Sequence, residues 1–278
     1  MRRALVLVAL AALAAPAASL AAERQVSIHA NSFNPRTIRV IVGDSVRWTN
    51  HDFVSHDVES DDGSTFGSGP FGHNASYPSP AFGAVATYPY HCNQHLFMHG
   101  TVAVYDIWLG TPATATFGSN AKFTGLAHAG ANVQIETAAG APVGNPVVAN
   151  GLGAYTVLIP DLPPGFYRAD ADAGTYESTN VKLSVKPKLI ITKGKIRRGL
   201  WRVVVKAAPN QAGATAVIDK KKGFGWAKLA SKSFGAQSKA IFTVQIPAGK
   251  SQLRVRVRLT NPRNGYSPAT SASFVLKR

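Results

Sequence analysis

The stretch that decides the fold of this protein is YPYHCNQHLFMHG, residues 88–100. Its first residues are typical of a β-strand, and the strand brings Cys92 to its end. His95 and Met98 follow Cys92 at the third and sixth positions in a tight loop, and we predict that Gly100 begins the returning strand. A thiol, an imidazole and a thioether are thereby predicted to meet at one end of a hairpin.

A second imidazole comes from upstream, where WTNHDFVSHDV at 48–58 predicts another strand, which carries His56. Two imidazoles and one thiolate form a trigonal ligand set, and a thioether can bind weakly above its plane. Soft sulfur with imidazole suits copper in both oxidation states, and this combination is the type 1, or blue, copper arrangement. The sequence therefore predicts one type 1 copper ion bound by His56, Cys92, His95 and Met98.

Residues 24–105 resemble the cupredoxins, and are most similar to the amicyanin, pseudoazurin and plastocyanin group. The matching pieces are FNP at 33–35, VGDSVRWTN at 42–50, the His56 strand and the C-x₂-H-x₂-M spacing. The short ligand loop is more similar to amicyanins and pseudoazurins than to plastocyanins, whose His-to-Met gap is longer. The resemblance implies an eight-stranded Greek-key sandwich, a single-copper electron carrier and the same four ligands.

The chain departs from the family pattern at two positions. Asp57 follows the first ligand, where the family usually has an asparagine whose side chain ties the two ligand loops together. An ionised aspartate accepts hydrogen bonds but cannot donate them, so we expect a different tie. Gln94 stands where amicyanins and plastocyanins have proline. We hypothesise that its backbone N–H donates a hydrogen bond to the sulfur of Cys92, which would tune the metal centre.

Other interpretations of the cluster are weaker. Zinc also binds cysteine and histidine, but structural zinc sites are not closed by a thioether, and Cu²⁺ outcompetes Zn²⁺ at shared ligands. A lone buried cysteine is usually a small hydrophobe, yet four ligands of matching type and spacing argue against that here. Four further histidines are not needed for this site and are expected to be exposed, although together they can bind a second, weaker metal: His51, His73, His91 and His99.

Enzymes with a second copper provide the nearest catalytic alternative. The His91-Cys92 pair resembles the arrangement in those enzymes, in which the histidine beside the cysteine leads to the second copper. Copper nitrite reductases and multicopper oxidases need further histidines from a second cupredoxin domain, and residues 107–278 contain only His128. A Cys–His nucleophile is disfavoured because a metal-bound thiolate is occupied and no oxyanion device is visible. We therefore predict a protein that is not an enzyme.

The first 21 residues are typical of a secretory signal peptide. Arg2 and Arg3 precede an apolar run from Ala4 to about Ala15, and SLA at 19–21 is a plausible cleavage site. The run is too short to span a bilayer comfortably, which disfavours an uncleaved anchor. We predict a protein that is secreted, periplasmic or associated with the cell envelope.

Composition and turn spacing predict an all-β fold. With 45% hydrophobic and 16% charged residues, 25 Gly and 17 Pro, the chain is neither a disordered sequence nor a helical bundle. Short alternating runs separated by turns predict strands throughout. We predict a cupredoxin domain at 22–106, an immunoglobulin-like β-sandwich at 107–186 and a second, basic immunoglobulin-like β-sandwich at 187–278. The last two end alike, in a glycine corner and an edge strand, which either hints at related modules or reflects how β-sandwich domains generally end.

Charge sets the last domain apart within a chain whose formal charge is +16. Residues 187–278 hold twenty Lys and Arg and one acid, Asp219, whereas residues 22–106 hold four Arg and eight acids. In LRVRVRL at 253–259 the arginines share one face of a strand. This surface is either solvated or binds an anionic envelope polymer or membrane surface. Nucleic acid is disfavoured because no stacking platform is evident.

Taken as a whole, the sequence predicts a secreted type 1 copper protein that carries single electrons through Cu(I)/Cu(II) cycling, with an unidentified redox partner protein. Two alternatives stay open. One is a copper-binding or sequestering envelope protein in which redox cycling is incidental, and the other is an adhesive protein with a vestigial copper site. The rate at which the reduced protein passes electrons to a partner distinguishes them.

Overall fold

The structure is a computed structural model that describes residues 21–278. The predicted signal peptide lies outside the described residues, except for Ala21. The described part contains twenty-six β-strands and no helix, which confirms the all-β prediction. Within that part there is accordingly no helix of the length and apolarity needed to cross a membrane.

The chain divides into two compact units. The first comprises 21–104 with the short segments 128–130 and 149–153, and the second comprises the rest of 105–278. The three predicted domains at 22–106, 107–186 and 187–278 stay predictions.

The first unit contains eight strands: β1 (Glu23–Ile28), β2 (Phe33–Asn34), β3 (Thr37–Ile41), β4 (Ser45–Asn50), β5 (Glu59–Ser60), β6 (Ser76–Pro78), β7 (Thr87–Cys92) and β8 (His95–Tyr105). They form two four-stranded sheets, with the orders β2-β1-β4-β6 and β3-β8-β7-β5. The chain passes from one sheet to the other after β2, β3, β4, β5 and β6. As a result, β4 lies in the first sheet, and β7 and β8 are neighbours in the second.

Strand alternation builds the core of this unit. In β4 every second residue is buried, ending with Trp48 and Asn50, and in β7 the buried positions are Tyr90 and Cys92. The Trp48 and Tyr90 rings meet edge to face with centroids 5.3 Å apart. Cys92 and Met98 belong to the same buried cluster, so both sulfur atoms lie within packed apolar surroundings.

Two details of the predicted strands near the site are wrong. The returning strand begins at His95, not at Gly100, because Cys92 pairs with His95 across a two-residue turn, with a register shift after His91. His56 lies on an isolated bridge to Phe71 rather than on a strand, because only that one backbone pair bonds there.

The second unit contains eighteen strands, of which ten precede residue 188: β9 (Trp108–Leu109), β10 (Ala115–Thr116), β11 (Asn120–Leu126), β12 (Asn132–Thr137), β13 (Pro142–Val148), β14 (Ala154–Pro160), β15 (Gly165–Ala171), β16 (Tyr176–Glu177), β17 (Val181–Leu183) and β18 (Val185–Lys186). The remaining eight are β19 (Lys188–Arg197), β20 (Leu200–Ala208), β21 (Thr215–Lys222), β22 (Gly225–Ser233), β23 (Lys239–Gln245), β24 (Gln252–Thr260), β25 (Ala269–Thr270) and β26 (Phe274–Lys277).

Sixteen of these eighteen strands form the same topology twice, while β10 and β18 form a separate two-stranded parallel sheet. The first set has sheets β14-β11-β9 and β13-β12-β15-β16, with β17 also paired to β15; the second has β23-β20-β19 and β22-β21-β24-β25, with β26 also paired to β24. Position by position, the two orders are identical. The shared topology supports the hint of related modules, while the immunoglobulin-like assignment of each stays a prediction.

In the second set, β24 shows the predicted alternation. Its apolar residues from Leu253 to Leu259 are buried, while Arg254 is exposed and Arg256 and Arg258 are partly so. Asp219 of β21 is fully buried beneath the last two arginines: Arg256 Nε lies 3.2 Å and Arg258 Nε 2.6 Å from its Oδ2. The single acidic side chain of residues 187–278 is therefore neutralised inside the sheet surface.

Candidate metal centre

Three of the four predicted ligands converge. The Sγ of Cys92 lies 3.8 Å from Nδ1 of His56 and 3.7 Å from Nδ1 of His95, and the two imidazole rings are 4.6 Å apart between centroids. Cys92 and His56 are fully buried, whereas His95 is partly exposed. The three side chains offer one ligand atom each within a space that can hold one metal ion.

The spacing fits a trigonal metal site. With a metal–sulfur bond of about 2.3 Å, a metal–nitrogen bond of about 2.0 Å and an angle near 120°, sulfur and nitrogen stand about 3.7 Å apart. The two observed sulfur–nitrogen distances agree with this value. One thiolate and two imidazoles are the donor set of a His₂Cys copper site.

Met98, the fourth predicted ligand, is buried in the core of the same unit. It lies on β8 at the third position after His95, is 2% exposed, and packs in the same core cluster as Cys92. A buried thioether in that place is chemically suited to a weak axial bond. Its role as a ligand stays a prediction.

The orientation of His56 is set by Asp52. The Nε2–H of His56 donates to Oδ2 of Asp52 at 3.0 Å, which leaves Nδ1 with a free lone pair facing Cys92. Burial acts to raise the pKa of Asp52, but hydrogen bonds from the backbone N–H groups of Asn31 and Ala30 outweigh it, and the pKa lies below its ordinary value. An ionised carboxylate thus holds the ligand imidazole, an arrangement common at metal sites.

Asp57 ties the two ligand segments together. Its Oδ1 accepts the backbone N–H of Asn93 at 2.6 Å, and its Oδ2 accepts the Nδ2–H of the same residue at 3.2 Å. Asp57 follows His56, and Asn93 follows Cys92, so the contact links the segments of two candidate ligands. The sequence predicted a different tie at this position, and Asn93 supplies the donors that an aspartate lacks.

The sulfur of Cys92 accepts a hydrogen bond from the backbone. The N–H of Asp57 lies 3.5 Å from it. Burial raises the pKa of the Cys92 thiol, and the backbone N–H groups of Asp57, Gln94 and His95 act in the opposite direction. The hypothesis that the Gln94 N–H donates to this sulfur stays a prediction. Because the free thiol is held protonated by burial, a metal that binds here displaces its proton.

The remaining histidines of this segment take other roles. His91 lies between Asp61, 2.6 Å from its Nδ1, and Asn93, 3.1 Å from its Nε2, and the Asp61 carboxylate raises the pKa of His91. His73 stacks on Phe53 with centroids 4.4 Å apart. The His99 ring is 6.4 Å from that of His91. None of these is part of the converging cluster, and neither is the exposed His51.

Exposed apolar side chains extend from the two segments that carry the ligands. Leu96 and Phe97, between His95 and Met98, are 76% and 70% exposed. Phe53 and Val54, just before His56, are 90% and 49% exposed. Phe97 also contacts the partly exposed ring of His95 with centroids 6.0 Å apart. We call these four residues, Phe53, Val54, Leu96 and Phe97, the apolar rim.

Solved structures of copper proteins match the N-terminal part of the chain. A copper-containing nitrite reductase from Thermus scotoductus is 27% identical over 30% of this chain and 22% of its own, with a TM-score of 0.28. A Cu(I) amicyanin variant is 26% identical over 30% of this chain and 81% of its own (TM-score 0.28). A purple cupredoxin from Nitrosopumilus maritimus is 28% identical over 29% of this chain and 98% of its own (TM-score 0.27).

The match therefore spans about 30% of this chain, and the structures it reaches are cupredoxins, as the sequence motifs predicted. No family model and no curated protein matches the chain. The chain spans less than a quarter of the nitrite reductase.

Proposed function

We propose that this protein is a single-electron carrier with one type 1 copper ion held by His56, Cys92, His95 and Met98. The observation that carries the proposal is the convergence of one thiol and two imidazoles at trigonal spacing in a buried apolar cluster. When bound, copper supplies one-electron chemistry by cycling between Cu(I) and Cu(II).

The chain's own residues hold the ligand geometry constant. Asp52 fixes the orientation of the His56 ring, and Asp57 ties the segment of His56 to that of Cys92 through Asn93. The packing around Cys92 and Met98 excludes water. A site whose ligands are constrained in this way requires little rearrangement when its charge changes, which favours rapid electron transfer.

The apolar rim is the proposed contact surface for a redox partner protein. Phe97 of this rim contacts the ring of His95, which is the partly exposed member of the three-residue cluster and offers a short route from the metal to the surface. Large exposed apolar side chains grouped on one surface commonly mark protein interaction sites.

The proposal places the protein outside the cytoplasm and assigns no bond-making catalysis. The compartment rests on the signal peptide predicted at 1–21, and the absence of catalysis rests on the scarcity of histidines beyond residue 106. Copper sequestration without electron transfer is the competing function, and it is favoured if the reduced protein is slow to reduce any acceptor.

The visible spectrum of the copper-loaded protein tests the proposal. A Cu(II)–thiolate bond gives an intense charge-transfer band, so we expect a coloured protein that bleaches on reduction. Cys92→Ser removes the thiolate and should abolish the band while the protein stays folded, because a hydroxyl cannot replace the thiolate as a ligand. An intensely coloured Cys92→Ser variant would contradict the site.

Histidine variants provide the matched comparison. His56→Ala should weaken copper binding, whereas His73→Ala and His99→Ala, which remove nearby imidazoles outside the cluster, should leave copper binding and colour unchanged. Met98→Leu should keep the colour and raise the reduction potential, since the axial donor stabilises Cu(II) more than Cu(I).

A further inference from the structure

The module formed by β19 to β26 gathers three chain turns and its last residues at one end. The turn between β19 and β20 lies beside the turn after β23, because the N–H of Ile246 donates to the carbonyl of Gly199 at 2.7 Å. The N–H of Arg278 donates to the carbonyl of Ser251 at 2.8 Å, which brings the end of the chain to the same place.

The β21–β22 hairpin turns at this end as well. Lys222 pairs with Gly225 across the hairpin, and Lys220 pairs with Val255, only three residues from the start of β24. The start of β24 in turn pairs with Lys277. The hairpin tip, residues 222–225, therefore lies at the end of the module where β24 begins.

This end carries many basic side chains and no acidic side chain. The single carboxylate side chain of residues 187–278, that of Asp219, is buried in the sheet and bonded to two arginines. We call this end the basic pole, and its exposed basic residues are Lys195, Arg197, Arg198, Lys221, Lys222, Lys250, Lys277 and Arg278.

Two large apolar side chains project from the basic pole. Phe224, at the tip of the β21–β22 hairpin, has 107% relative exposure, so its ring touches almost nothing else in the chain. Ile196, beside the β19–β20 turn, is 54% exposed. Lys221 stabilises the backbone of the hairpin tip. Its Nζ donates to the Phe224 carbonyl at 2.8 Å and lies 5.4 Å from the Trp226 ring centroid.

We propose that the basic pole docks this protein onto an anionic lipid bilayer, with Phe224 and Ile196 entering the interface between headgroups and acyl chains. Lysine and arginine are attracted to the negative surface potential of anionic lipids. Aromatic and aliphatic side chains bind where headgroups meet hydrocarbon. A surface that presents both at one end, without an acidic side chain, complements that boundary.

The two apolar tips favour a bilayer over a soluble polyanion. A phosphate-bearing polymer binds lysines and arginines by charge alone and provides no apolar phase for a fully exposed phenylalanine. Exposure of such a ring to water has a free-energy cost that is proportional to its apolar area. Insertion into a bilayer interface removes that area from water. The presence of Phe224 at the centre of the basic tip is thus explained by a lipid partner.

Vesicle binding by the full-length protein tests the proposal. We expect it to co-sediment with vesicles that contain phosphatidylglycerol, and not with pure phosphatidylcholine vesicles, and to be released as salt rises. Lys222→Gln/Lys250→Gln should weaken binding about fivefold for each lysine. The matched control, Lys188→Gln/Lys206→Gln, removes the same charge at the opposite end of β19 and β20 and should bind as the wild type does.

Apolar variants test insertion itself. Phe224→Ser and Ile196→Ser should weaken vesicle binding, while Phe166→Ser and Ile190→Ser, which change exposed residues elsewhere in the second unit, should not. The fluorescence of a Phe224→Trp variant should shift to shorter wavelength when anionic vesicles are added. Binding of soluble polyphosphate, measured in parallel, should be unaffected by Phe224→Ser.

Three results would overturn the proposal. Equal losses from the two lysine pairs would show that net charge, and not the basic pole, is responsible. Vesicle binding that is unaffected by both Phe224→Ser and Ile196→Ser would show attraction without insertion. Polyphosphate binding that is tighter than vesicle binding and independent of Phe224 would assign the basic pole to a soluble polyanion.

Discussion

The carboxylate of Asp57 and the amide groups of Asn93 form a two-point contact that joins the residue after His56 to the residue after Cys92. The segments of both candidate ligands are thereby held by one pair of side-chain and backbone bonds. Asp57 is 95% buried, so water cannot readily replace its partners.

Asp57→Ala should therefore lower the free energy of unfolding of the metal-free protein by about 1–2 kcal/mol, because charge-assisted hydrogen bonds are lost. Asp57→Asn keeps an oxygen that accepts the Asn93 backbone N–H and should lose less. Chemical denaturation of the two variants measures the difference. Equal stability of Asp57→Ala and wild type would show that the contact does not constrain the site.

Asp52→Asn should weaken copper binding about 10–100-fold, which is typical when a partner of a ligand histidine is altered. The variant should also raise the reduction potential, since a carboxylate stabilises the more positive Cu(II) state. Competition with a copper chelator and redox titration measure these effects. Glu23→Gln, which removes one charge at the far end of β1, is the control and should change both quantities little.

Gln94→Pro should lower the reduction potential while the blue colour persists. Proline has no N–H, and a donor to the thiolate favours Cu(I), so its loss favours Cu(II). Gln94→Ala retains the N–H and should keep the wild-type potential. The copper geometry of the proline variant has to be checked, because its fixed φ can distort the turn; an unchanged potential in an undistorted site contradicts the hypothesis.

Gly100→Ala should destabilise the first unit by about 1–3 kcal/mol, the usual cost of overpacking. Gly100 pairs with Tyr90 across β7 and β8, and a Cβ at Gly100 would overlap the Tyr90 ring. Gly83→Ala is the matched control, because a Cβ there meets nothing within 4 Å. Thermal unfolding of the two variants should differ, and identical melting would show that the Tyr90 ring moves aside freely.

Asp219→Asn should lower the free energy of unfolding at pH 7 by about 2 kcal/mol, since two arginines lose their buried partner. Hydrogen bonding by Arg258 holds the pKa of Asp219 below its ordinary value of 3.8, so the stabilisation is present above that pH and is lost as pH falls through the lowered pKa. The difference in free energy of unfolding between Asp219→Asn and wild type should therefore become smaller in acid.

Two arginine variants check this account of Asp219. Arg258→Gln should destabilise the module, whereas Arg254→Gln, on the same exposed face but without a bond to Asp219, should not. A gap between Asp219→Asn and wild type that stays constant down to pH 2 would contradict the ion-pair explanation.

The approach of His95 to Cys92 could be predicted because these residue types are chemically rare and their spacing is local. One cysteine, with histidine and methionine three and six positions later, leaves few alternatives. Asp52 and Asn93 were missed for the opposite reason. An aspartate four residues before a histidine in a loop has no periodicity, and only the folded segment shows that its carboxylate reaches His56.

The all-β class followed from turn spacing, but the pairing of strands did not. The topology shared by the two strand sets of residues 105–278 depends on contacts between residues far apart in sequence, which alternation alone does not specify. The location of Asp219 shows the same limit. Its isolation among bases was visible in the sequence, whereas its burial beneath Arg256 and Arg258 required the fold.

The repeated topology allows two strand sets of the same architecture but different net charge to be compared within one chain. The strand set that precedes residue 188 has the same order as the one that follows it, yet residues 107–186 hold only four basic and five acidic residues. A nearly neutral sequence thus builds this architecture, so twenty bases are not a requirement of folding. Mutual repulsion among these basic side chains even opposes compaction. The excess positive charge is therefore independent of what the fold itself requires.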